Sequence, residues 1–114
     1  MKKMFEVLAI DLTDLWVDGQ DDYELDRVPG SRRTKVAQAY GRLDGACYVV
    51  GNLIGSTQED CWQAIERAVK QATSEGVDFG RKRDSTGKRL PNKGTSYLAK
   101  LVKSELMELM RTQV

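Results

Sequence analysis

The chain has 114 residues, 40% of them hydrophobic, with 18 cationic and 17 acidic side chains and no histidine. A chain this long can bury roughly 65% of its unfolded surface and needs neither metals nor disulfides to hold a core. The lack of histidine excludes Ser/His and Cys/His nucleophile systems and zinc sites built on two Cys and two His. Cys47 and Cys61 both fall inside apolar patterns and read as buried thiols rather than a bridge, which suggests a reducing compartment.

No apolar run approaches the ~18 residues that cross a bilayer, and Glu6 and Asp11 interrupt any signal-peptide core, so a cytoplasmic protein is expected. The net charge of +1 hides an uneven distribution. Residues 1–30 carry three cations against eight carboxylates, residues 31–79 balance at six each, and residues 80–114 carry nine cations against three acids. Such polarity along a chain points to a charged partner, or to two ends that neutralise each other.

The first segment, KMFEVLAIDL over 3–12, is nearly continuously apolar and rich in Val, Ile and Phe. That composition predicts a strand, although Met4, Leu8, Leu12 and Leu15 also have helical spacing. An acidic stretch follows over 11–26. As a calcium loop aligned on Asp14, Asp18 and Gly19 it fails, because Trp16 and Leu25 stand where ligands are required.

Residues 34–55 carry Asp44-Gly45, the pair that two-residue type I′ turns prefer. They predict a β-hairpin with Leu43 opposite Ala46, Tyr40 opposite Val49, Val36 opposite Leu53 and Ala39 opposite Val50. Residues 57–75 predict a helix: Ser56 and Glu59 suit a capping box, Cys61, Trp62, Ile65, Ala68, Val69 and Ala72 share one face, and Gly76 is the stop. A second helix over 96–112, starting near Thr95 or Ser96, presents Leu98, Leu101, Val102, Leu106 and Leu109, with Met107 and Met110 widening the stripe toward a possible homodimer contact. The expected fold class is therefore α+β: one domain with an antiparallel sheet of three or four strands against these two helices, and a basic flexible loop over 77–94.

No enzyme and no cofactor is expected. Gly87-Lys88 is not a P-loop, since Lys82 and Arg89 occupy the positions that need Gly and Ser/Thr. The acids at Asp11, Asp14, Asp18, Asp21, Asp22, Glu24 and Asp26 have no lysine at catalytic spacing, so no metal site is assigned.

Two binding readings remain. In the first, Arg81, Lys82, Arg83, Lys88, Arg89 and Lys93 grip a phosphate backbone; without interleaved aromatics the partner is duplex DNA or structured RNA. In the second, Asp14, Trp16, Asp18, Asp21, Asp22 and Glu24 offer carboxylates around an aromatic anchor to a basic protein site, as phage- or plasmid-type inhibitors of host defence complexes do.

Overall fold

The computed structural model describes the backbone of residues 2–25, 32–79, 85–86 and 92–112, with side chains for 3–19, 41–79, 85–86 and 92–112. Within these residues there is no strand. The protein is helical: α1 (Lys2–Leu25), α2 (Arg32–Leu53), α3 (Gln58–Ser74) and α4 (Lys93–Thr112). Each helix packs on two neighbours, α1 on α2 and α4, and α3 on α2 and α4, which closes a four-helix ring measuring 46 × 27 × 27 Å.

The α+β expectation is thus corrected at both of its strand-bearing segments. Residues 3–12 lie inside α1, where Phe5, Ala9, Leu12, Thr13 and Val17 are buried on one helical face, and Met4, Val7 and Ile10 are exposed. The apolar run looked continuous because α1 keeps large aliphatic side chains on its solvent side too. The predicted hairpin 34–55 is the body of α2. Leu43, Cys47, Val50 and Gly51 form its buried face, which Ile54 continues just past its end, a helical period running straight through Asp44-Gly45. Both residues are exposed, and Gly45 does not have the positive φ that a type I′ turn demands. Burial of that stripe outweighs a local turn preference of about 1 kcal/mol.

The connection between α2 and α3 is built from glycine. Gly55 has φ +78°, Gly55 N–H donates to Asn52 O at 3.1 Å and Ser56 N–H to Gly51 O at 2.7 Å, so the last carbonyls of α2 are satisfied by a left-handed terminal residue. Gly51 serves differently: a Cβ there would lie 2.3 Å from the Thr57 carbonyl oxygen. Only a residue without a side chain lets the end of α2 touch the start of α3.

The N-cap of α3 is Thr57, whose Oγ1 accepts from Asp60 N–H at 3.1 Å, while Ser56 Oγ donates to Asp60 Oδ2 at 2.6 Å. The predicted Ser56–Glu59 box is therefore displaced by one residue; the carboxylate three positions after the true cap is Asp60. The apolar face of α3 is as read from its spacing, with Ala64 added, and Gly76 (φ +73°) ends it, with Val77 N–H donating to Ala72 O at 3.1 Å. Helix α4 starts two to three residues earlier than expected, because Asn92 Oδ1 accepts from both Gly94 N–H (2.8 Å) and Thr95 N–H (3.1 Å). The irregular segment thereby ends at Asn92 rather than Gly94.

The core is continuous across all four helices, with Leu12, Leu43, Ile65, Leu98, Val102 and Leu106 among its fully buried side chains. Cys47 and Cys61 lie within it as free, fully buried thiols on α2 and α3. The Cys47 thiol donates to the Cys61 sulfur, and that bond, reinforced by burial, holds Cys47 far above the ordinary thiol range, so it stays protonated and unreactive. Trp62 Nε1–H donates to Asp44 Oδ1 and Gln58 Nε2 to Asp44 O, tying α3 to α2 at the surface. No described helix is long and apolar enough to cross a membrane.

Candidate nucleic-acid interface

The segment after α3 and the start of α4 are locked together. Gly94 passes so close to Asp78 that a Cβ would overlap the Asp78 carbonyl oxygen, and the edge of Phe79 meets Trp16 of α1 with centroids 5.5 Å apart and planes at 86°. These contacts place the second half of α1 beside the first turns of α4, so the two helices run antiparallel.

From Asn92 onward, the charged residues of α4 differ in their partners. Its two acids face arginines: Glu105 Oε2 accepts from Arg67 Nε of α3 at 3.0 Å, and Glu108 pairs with Arg111 at 2.5 Å. Lys100 and Lys103 line the side of α4 toward α1, and Lys93 lies two turns before Lys100 on the exposed face of the helix. No carboxylate among the described residues pairs with any of the three. Lys93 and Lys100 are exposed and Lys103 half-buried.

These lysines line two adjoining concavities. One, of about 480 Å³, is bounded by Asn92, Lys93, Ser96, Tyr97 and Lys100. The other, of about 590 Å³, runs between α4 and α1 and is lined by Glu6, Ile10, Ser96, Ala99, Lys100, Lys103, Ser104 and Met107. Ser96 and Lys100 belong to both, so the groove is continuous. Tyr97 is oriented by its hydroxyl, which donates to Glu75 Oε2 at 2.5 Å; that bond keeps the phenol protonated above its usual range.

Of the six cations singled out in the sequence, Lys93 stands in this groove, while Arg81, Lys82, Arg83, Lys88 and Arg89 lie outside the described residues. On the acidic side, Asp14, Trp16 and Asp18 sit on α1. Asp14 and Asp18 each already have an interaction partner, and Trp16 is half-buried against Phe79. Asp21, Asp22 and Glu24 belong to the last two turns of α1, and their side chains are outside the description. Among the described residues no cluster of three or more Cys, Asp or Glu could hold a metal ion.

Sequence reasoning missed Lys100, Lys103, Glu6 and Ile10. The lysines could have been found by continuing the cationic count from Lys93 at helical spacing; Glu6 and Ile10 could not, because they join the site only when α1 lies against α4. The chain matches no protein-family model, and comparison with curated proteins and with solved structures gave no significant similarity.

Proposed function

We propose that this protein is a non-enzymatic nucleic-acid-binding accessory protein, in which the basic segment 80–93 and the lysine side of α4 together follow a phosphate backbone. The observation that carries this reading is the pairing of charge on α4: the helix pairs both of its acids with arginines, while among the described residues no carboxylate pairs with Lys93, Lys100 or Lys103, which line adjoining concavities. An uncompensated cationic row costs self-repulsion, which an anionic polymer relieves with release of its counterions.

The test is fluorescence anisotropy with a duplex DNA and a structured RNA over a salt series. Eight phosphate contacts, six from segment 80–93 plus Lys100 and Lys103, predict a slope of log K against log salt near −7 on duplex DNA. Changing Lys93, Lys100 and Lys103 to Ser should make that slope shallower by about 3. No salt-sensitive binding at about 50 mM salt would overturn the proposal.

A further inference from the structure

The larger half of the groove is poorly suited to phosphate alone. Ile10 is 45% exposed and Met107 is 38% exposed; with Ala99 they line it as an apolar floor. Glu6, at the end away from Lys93, puts a carboxylate into an otherwise cationic surface. An apolar floor offers a phosphate nothing, and a carboxylate repels it. Both features suit a planar ring that has hydrophobic faces and an edge of N–H donors, with anionic groups on either side.

A nucleobase is such a ring. Aliphatic and thioether groups cover its face, a carboxylate accepts from its N–H edge, and lysines hold the flanking phosphates. Guanine fits best among the four, because its N1–H and N2–H₂ donors lie side by side and match two oxygens of one carboxylate. The base must be unpaired to reach the floor, and structured RNA supplies such bases in bulges and loops, whereas duplex DNA does not. We propose that the α1–α4 groove receives an unpaired guanine of a structured RNA: its face on Ile10, Ala99 and Met107, its N–H edge on Glu6, and its neighbouring phosphates on Lys100 and Lys103. The inference rests on the nucleic-acid reading above and narrows it to RNA with an exposed base.

Anisotropy with labelled RNA hairpins tests it, using one fully paired hairpin and four that differ only in a single bulged nucleotide. The bulged-guanine hairpin should bind about tenfold tighter than the paired one and than the other three bulges, the size expected of one bidentate base contact. Glu6→Gln should erase the preference for guanine while leaving the paired hairpin bound and its salt slope unchanged. Met107→Ser and Ile10→Ser, both at solvent-exposed positions, should lower affinity for every bulged hairpin and not for the paired one. In the complex, the Met107 and Ile10 methyl resonances should move upfield under the ring current of the base. Equal affinity for bulged and paired hairpins, or a guanine preference that survives in Glu6→Gln, would overturn this inference and leave the proposed function standing. Failure of every hairpin to bind would remove both.

Discussion

Replacing Gly45 by Ala separates the two conformations that the Asp44-Gly45 pair can adopt. In α2 the position is exposed, a Cβ would meet nothing within 4 Å, and φ is not positive. Alanine there should therefore stabilise the protein by about 0.5–1 kcal/mol, the usual difference between Gly and Ala inside a helix. At about 4 °C per kcal/mol for a chain of this size, Tm should rise by roughly 2–4 °C. In a type I′ hairpin the same change would force alanine to positive φ and cost about 1–2 kcal/mol, so the sign alone decides.

Gly51→Ala is the counterpart within the same helix. Its Cβ would stand 2.3 Å from Thr57 O and 2.5 Å from Thr57 C, both backbone atoms that cannot swing aside. Separating α2 from the start of α3 should cost about 1–3 kcal/mol as overpacking, leaving a net loss of up to about 2 kcal/mol after the helix-propensity gain. Urea unfolding followed by far-ultraviolet circular dichroism reads both variants, with an unchanged slope confirming that the unfolded state is the same. Destabilisation by Gly45→Ala, or stabilisation by Gly51→Ala, would refute the helical assignment of α2 and its close approach to α3.

Thr13 is 1% exposed and its hydroxyl has no hydrogen-bond partner among the described residues, so the near-isosteric Thr13→Val should gain about 1 kcal/mol in the same urea experiment; a loss would show that the hydroxyl is satisfied. The Tyr97 phenol is held protonated by Glu75, so its folded pKa lies above its unfolded one. The stabilisation it contributes is complete below the unfolded value near 10 and fades as pH rises through the folded one. In an absorbance titration of tyrosinate formation, Tyr97→Phe should delete a component that titrates above the usual tyrosine range; an unchanged profile there would contradict the Tyr97–Glu75 bond.

Legibility varied with how far each feature depends on neighbours in sequence. Helix α3 was readable because its cap, its stripe and its stop are all local, and even there the cap moved by one residue, from Ser56 to Thr57. Helix α2 was misread because Asp44-Gly45 is a strong two-residue signal, whereas the stripe Leu43, Cys47, Val50 and Ile54 that overrides it emerges only over three turns. In α1, the exposed Val7 and Ile10 blurred the period that Phe5, Ala9 and Leu12 would otherwise have announced. Ile10 is one of the groove residues, so the irregularity that obscured the helix coincides with the proposed base-binding floor. Lys93 was legible as part of a cationic run; Glu6 was not, since its place opposite α4 depends on the packing of helices far apart in the chain.

The closing of the ring by α1 on α4 has a consequence for biosynthesis. One flank of α1 is covered by α4, so that flank waits uncovered until the chain has been made through α4. Most helical bundles fold rapidly on local contacts, but here α1 and α4, with two helices between them in sequence, must find each other, which raises contact order and lengthens the time that a sticky nascent helix is exposed.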